Sequence, residues 1–127
     1  MKYTCLIALL LLVAAKPPDN LQPLLDAIQK VETGGCTDPD NAVGDSGLAV
    51  GRFQIHKSYW IDSRIPGEWE DCKNKEYAER VVRAYLARYC LDGDYEAEAR
   101  THNGGPKGAA KQTTLAYWHK VQKALGQ

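Results

Sequence analysis

Between Glu32 and Asp45 the chain gathers four carboxylates, Glu32, Asp38, Asp40 and Asp45, and no basic residue. Turn formers surround them, in Thr33-Gly34-Gly35, Asp38-Pro39-Asp40-Asn41 and Gly44-Asp45-Ser46-Gly47, and an apolar, aromatic run ending in Tyr59-Trp60 follows. Carboxylates beside such a loop suit cleavage of a glycosidic bond, where one carboxylic acid protonates the leaving oxygen and a second carboxylate commonly assists across the sugar. The acid must hold its proton near neutral pH, which an apolar pocket or neighbouring negative charge achieves. Glu32 is placed for both, at the negative end of a helix dipole and followed by the other acids. Tyr59, Trp60 and Trp118 could floor a sugar, although such side chains are more often core. Other chemistries lack their residues: a GxSxG elbow, a phosphate loop, a GxGxxG fingerprint and an HExxH pair are all missing. The cysteines and histidines are too scattered for a zinc site. Asp38-x-Asp40 invites calcium, but an EF-hand loop would need a polar ligand where Ala42 stands and glycine where Val43 stands. No metal or other cofactor is expected.

The elements that must position these residues read as mostly helical. Leu21, Leu24, Leu25, Ile28 and Val31 recur at helical spacing, with Asp19 or Asn20 as cap and Pro23 tolerated in the first turn. This helix carries Glu32 in its last turn, and Thr33-Gly34-Gly35 should end it with a left-handed glycine. Residues 36–51 read as loop, with a short hairpin whose strands include Ala49-Val50 and Phe53 to Ile55. A short helix is expected from Ser58, ended by Pro66-Gly67. Tyr77, Val81, Val82, Tyr85, Leu86 and Tyr89 mark the longest helix, about residues 74–89, with Arg83 and Arg88 off its apolar stripe. Asp94 can cap a helix over 95–101, after which Asn103-Gly104-Gly105-Pro106 should break the chain. A last helix, about 113–125, puts Leu115, Trp118, Val121 and Leu125 on one face and stops at Gly126. With 127 residues and no repeat or linker, one domain with one modest core is predicted.

The start of the chain, Met1-Lys2-Tyr3-Thr4 and the apolar run Cys5 to Ala15, reads as a secretory signal over residues 1–15, the alternative being a short membrane anchor or a buried N-terminal helix. The mature chain is then expected to be secreted, extracellular or periplasmic, without stable membrane insertion. Its loss of Lys2 and no acid leaves one net negative charge, so no field steers it to nucleic acid, and it is read as a monomer. From Arg100 to Gln127 there are five bases and no acid, either solvated helix faces or the basic wall of a cleft. Of the three mature cysteines, Cys72 and Cys90 would lie about 27 Å apart at the two ends of one helix. They cannot pair, so any internal bridge uses Cys36.

Taken in order, IQKVETGG, GDSGLAVGRFQIHKSYWID, WEDC, VVRAYLARY, THNGGPKG and YWHKV resemble the invertebrate-type lysozymes, the destabilase family, over about Leu24 to Val121. The most specific pieces are Phe53, Gln54 and Ile55 with Tyr59, Trp60 and Asp62, and the segment His102 to Gly108. The resemblance implies a mainly α (α+β lysozyme-like) fold over residues 16–127, with a small hairpin or loop beside the active-site cleft. It implies muramidase activity on the β-1,4 bond between N-acetylmuramic acid and N-acetylglucosamine of bacterial peptidoglycan. It assigns the general acid to Glu32 and, with one gap allowed, the second carboxylate to Asp45. Gln54, Tyr59, His102, Asn103, Gly104 and Gly105 are then expected to bind substrate. Carboxylates about 5–5.5 Å apart would favour retention, which is the expectation, and about 6.5–9.5 Å inversion; alternatively Asp45 only holds its turn. The family's isopeptidase serine and lysine correspond to Gly47 and His56, which argues against that activity unless Ser46 and Lys57 substitute. With few cysteines, the chain resembles a bacterial-type or otherwise cysteine-poor branch. Two other functions stay open: a lytic transglycosylase acting through Glu32 alone, and a non-catalytic glycan-binding domain of the same fold.

Overall fold

The computed structural model describes residues 20–127; the expected signal segment 1–15 and the candidate cap Asp19 lie outside them. Helix α1 spans Gln22–Thr33 and buries Leu24, Leu25, Ala27 and Ile28 on one face. Its N-cap is Leu21, with no side-chain cap, so the expected cap at Asn20 is not formed. Pro23 supplies the first-turn geometry instead, and the Asn20 carbonyl accepts the Tyr95 hydroxyl. The expected left-handed end is also absent. Gly34 is right-handed (φ −62°, ψ −22°) and its N–H reaches the Lys30 carbonyl at 3.0 Å. A Cβ there would lie 2.3 Å from that oxygen, so glycine is required by close approach and not by its left-handed freedom.

After a 3₁₀ turn at Pro39–Asn41, three two-residue strands form an antiparallel sheet in the order β1-β2-β3: β1 Val43–Gly44, β2 Ala49–Val50 and β3 Ile55–His56. The register pairs Val43 with Val50, Gly44 with Ala49, Ala49 with His56 and Val50 with Ile55. Strand β1 adds to the expected hairpin, and Phe53 belongs to the β2–β3 turn, buried to 1% exposure. Asp40 pairs with Arg52 at 2.6 Å and Asp38 accepts from Asn41 at 2.8 Å, so both aspartates staple the loop.

Helix α2 spans Lys57–Ser63 and stops at Arg64 (φ 59°), ahead of Pro66: the left-handed residue turns the chain before proline can. A 3₁₀ segment, Trp69–Lys73, precedes α3, Lys75–Tyr89. Asn74 caps α3 by accepting the Tyr77 N–H at 3.0 Å, and Ala78, Val81, Val82, Tyr85 and Leu86 form its buried stripe. Helix α4, Tyr95–Gly104, is capped by Asp94. It runs three residues past the expected end, so His102, Asn103 and Gly104 are helical, not a loop. After two more 3₁₀ turns, α5 spans Leu115–Ala124 and buries Trp118 and Val121, with Leu125 packed at the core's edge. Helix α1 packs on α4 and α5, α2 on α3, and α4 on α3 and α5. No helix among the described residues is long and apolar enough to cross a membrane. Cys36 is exposed, Cys72 buried and Cys90 half-buried, and all three are free.

Val82 and Tyr85 are 0% and 3% exposed; a buried, unpaired carboxylate at either is expected to remove about 4 kcal/mol or more, leaving Val82→Asp and Tyr85→Asp unfolded at ambient temperature. Arg88→Ala should stay within about 0.5 kcal/mol of wild type in a denaturant melt. Arg83, also off the apolar stripe, is not a bare surface residue. It donates to Gln22 at 2.9 Å, tying α3 to α1, and Arg83→Ala should lose on the order of 1 kcal/mol.

Burial, with Asp71 and Glu70 nearby, pushes the Cys72 thiol up to about 12; burial, then Asp62, does the same to the Tyr85 phenol, to about 12. Both keep their protons when folded and lose them sooner when unfolded, so the unfolded chain binds fewer protons as pH rises. The melting temperature is expected to fall progressively from pH 9.0 to about 12. A flat melt across that window would contradict the burial of both groups.

Candidate active site

The last turn of α1 leaves the Glu32 side chain 22% exposed. Its Oε2 accepts the Tyr117 hydroxyl at 3.0 Å and lies 3.4 Å from His102 Nε2. His102, 7% exposed, places Nδ1 2.9 Å from the Tyr59 hydroxyl. The Tyr59 ring stacks on Tyr85, centroids 3.6 Å apart and planes 12° from parallel. Burial first, then neighbouring Tyr85 and Glu32, pushes the Tyr59 phenol well above 10.0; burial and then Glu32 do the same to Tyr117. Both hydroxyls therefore stay protonated across the ordinary pH range.

Asp45 opens a 3₁₀ turn, Asp45–Gly47, that follows β1. Asp45 (φ 51°) and Ser46 (φ 56°) are both left-handed, a conformation that aspartate tolerates better than most residues. The Asp45 carboxylate is 62% exposed and lies 3.1 Å from His56 Nε2. Strand β3 sets that contact, since His56 stands opposite Ala49. Gln54, also left-handed at φ 52°, turns its amide nitrogen to the Gly51 carbonyl at 2.9 Å. Its Oε1 occupies the space a side chain at position 44 would need, 2.2 Å from the Cβ position of Gly44. Gln54 thus braces the hairpin as well as facing the cleft.

These elements close around a cavity of about 260 Å³ lined by Glu32, Asp45, Ala49, Gln54, His56, Tyr59, His102 and Asn103. A second cavity of about 250 Å³ shares His56, Tyr59, His102 and Asn103 and extends to Asp62, Tyr85 and Gly105. The structure therefore brings both expected carboxylates and most of the expected binding residues to one cleft. Gly104 lines neither cavity. It packs against Thr114 and its carbonyl accepts from Lys111 at 2.6 Å. Trp118 is core, 8% exposed, and the Trp60 indole donates to the Tyr77 hydroxyl at 2.8 Å, so of the three aromatic candidates only Tyr59 lines the cleft. Neither cavity contains a lysine or arginine; Lys30, Lys120 and Lys123 surround a separate hollow with Val31 and Ala124. The basic wall considered from the sequence is not part of the cleft.

Two residues at the centre of the site escaped sequence reasoning. Tyr117 reaches Glu32 across 85 positions, and its neighbour Trp118 carried the only local signal, by marking which face of α5 is buried. His56 joins Asp45 through strand register, which no spacing rule of the sequence announces.

Two carboxylates from different elements, one half-enclosed by aromatic hydroxyls and one open to solvent, line a cleft flanked by a stacked tyrosine pair. The sequence model of the Destabilase family matches residues 22–124. The chain is 40% identical to the lysozyme of Ostrea edulis over 96% of this chain and 94% of that protein. It is 37% identical to the invertebrate-type lysozyme of Ruditapes philippinarum over 83% and 82%. The crystal structure of Tapes japonica lysozyme superposes with a TM-score of 0.71 at 38% identity, covering 80% of this chain and 88% of that one. With the motif order, the helical fold and this match over most of the described residues all in agreement, the chain belongs to the Destabilase family of invertebrate-type lysozymes.

Proposed function

We propose that the protein is a muramidase that hydrolyses the β-1,4 bond between N-acetylmuramic acid and N-acetylglucosamine in bacterial peptidoglycan, with Glu32 as general acid and Asp45 as the second carboxylate. The supporting observation is the shared cavity: Glu32 and Asp45 line it together from opposite elements, in unlike environments, 22% and 62% exposed. Two carboxyl groups in contrasting surroundings are the usual means of dividing acid and base roles. Glu32 gives its proton to the glycosidic oxygen as the C1–O bond breaks, and the bonding pair leaves with that oxygen. Asp45 offers its charge, or a covalent bond, to the oxocarbenium carbon, and water completes the hydrolysis with return of a proton to Glu32. Tyr59, His102, Asn103 and Gly105 bound the space for the flanking sugars, and Gln54 holds the hairpin that carries Asp45. We further propose that the protein acts as a secreted monomer, without a cofactor and without nucleic-acid binding.

Glu32→Gln is expected to lower the rate of peptidoglycan cleavage by 10²- to 10⁴-fold, the range typical of lost general acid catalysis, with the melt and pelleting on insoluble peptidoglycan unchanged. A variant that keeps half the wild-type rate would exclude Glu32 as the acid. Unchanged binding with no cleavage by either protein would instead point to a glycan-binding domain.

The exposure of Asp45 and its contact with His56 favour a second reading strongly enough to test: a transglycosylase in which Glu32 works alone and the sugar's own hydroxyl closes an anhydro ring. Asp45→Asn keeps the size of the side chain and much of the turn, and removes the charge. A fall of about 100-fold, on the order of 3 kcal/mol of barrier, with reducing-end products of retained configuration supports hydrolysis by two carboxylates. Near-normal activity yielding products one water lighter would sink it.

A further inference from the structure

We infer that Tyr117 and His102 are positioning residues that fix the acidic proton of Glu32 on Oε1, the oxygen left free for the glycosidic bond. The inference rests on the reading of Glu32 as general acid. The Tyr59 hydroxyl, buried beside His102, has Nδ1 of that ring as its partner at 2.9 Å. A buried hydroxyl that donated to nothing would be costly, so Nδ1 accepts and the neutral imidazole carries its hydrogen on Nε2. Nε2 of that ring lies 3.4 Å from Glu32 Oε2, a polar contact and not a formed hydrogen bond, and the Tyr117 hydroxyl donates to the same oxygen at 3.0 Å. One formed hydrogen bond and one nearby ring N–H therefore meet at Oε2.

A proton on Oε2 would set an O–H against the Tyr117 donor and the nearby imidazole N–H. The neutral carboxyl group therefore keeps Oε2 as its carbonyl oxygen and places its hydrogen on Oε1. Among the described residues no hydrogen bond reaches Oε1, while Glu32 lines the cleft. In the bond-breaking step the Oε1–H hydrogen passes to the glycosidic oxygen, which also receives the electron pair of the C1–O bond; Oε1 is left with the negative charge. The carboxylate so formed is met at Oε2 by the Tyr117 donor already in place, which lowers the reorganisation needed in the transition state. Tyr85, stacked on Tyr59, and the α4 backbone that carries His102 hold the far end of this chain in register.

A purely structural tie between α5 and α1 makes a different prediction, and a double-mutant cycle separates the two. Initial rates on a soluble peptidoglycan fragment should give for Tyr117→Phe a kcat lower by on the order of 10- to 100-fold, as misplacement of a catalytic group does, with KM and the melting temperature near wild type. In a Glu32→Gln background the same change should alter the residual rate by less than about twofold. An equal fall in both backgrounds, or a Tyr117→Phe enzyme of full kcat beside a dead Glu32→Gln, would overturn the inference and leave the acid assignment standing. A Glu32→Gln enzyme near wild-type rate would remove the acid assignment and this inference with it. The nitrogen NMR spectrum of the His102 ring gives a readout independent of rate: protonated Nε2 with unprotonated Nδ1 is expected, with that preference lost in Tyr59→Phe. A ring protonated at Nδ1 in the wild type would overturn the part assigned to His102.

Discussion

One hydroxyl group holds the two walls of the cleft together. Thr33, next to Glu32 and 3% exposed, directs its one hydrogen to the Arg52 carbonyl at 2.9 Å, shared with the Gln29 carbonyl at 3.2 Å, and accepts from the Gln29 amide at 3.1 Å. It thereby ties the end of α1 to the turn between β2 and β3. Arg52 passes the constraint on to Asp40, which anchors the loop that leads to Asp45. The described cysteines are free, so no covalent bridge shares this task. Side-chain hydrogen bonds to the backbone and the burial of Val50, Phe53 and Ile55 carry it.

Stability is given up where the cleft is built. Among the described residues four non-glycine residues are left-handed, and three of them, Asp45, Ser46 and Gln54, belong to the hairpin. Each such residue costs about 1–3 kcal/mol and persists only when its surroundings over-determine it. Here they do: the Leu48 N–H returns to the Asp45 carbonyl at 3.1 Å, and the Gly51 N–H reaches the Ala42 carbonyl at 2.8 Å. The fourth, Arg64, ends α2 and serves the course of the chain.

What the sequence disclosed and what it withheld follow from the range of the forces involved. Helices α1 and α3 are legible because a buried stripe repeats every three to four residues, and Asp94 is legible as a cap because capping acts within three residues. The walls of the site were equally open to inspection, since Glu32 ends one periodic segment and Asp45 sits among turn formers. Strand β1 was hidden because a two-residue strand is defined by its partner. Helix α4 was cut short on paper by Asn103-Gly104-Gly105, yet its last turn is held by packing: Gly104 against Thr114 and its carbonyl on Lys111. The meeting of Tyr117 with Glu32 depends on how α5 crosses α1, and no local rule reaches so far.

The cluster Tyr59–His102–Glu32–Tyr117 is also a polar chain set against an otherwise apolar core. In low dielectric such a chain rigidifies its members when every group is satisfied and destabilises the fold when one is not. Tyr59 supplies a donor to His102 and Tyr117 one to Glu32, His102 Nε2 stands 3.4 Å from the same carboxylate, and Glu32 lines the cleft. On the proposed assignment, the group that completes the set is the glycosidic oxygen of the substrate. Nearby, Asp45 stands in solvent with His56, where a charge costs little to maintain; on the same assignment it is desolvated only when the sugar binds. One carboxylate is thus prepared by the protein and the other by the substrate, and the hairpin that separates their environments is what allows a single small cleft to hold both.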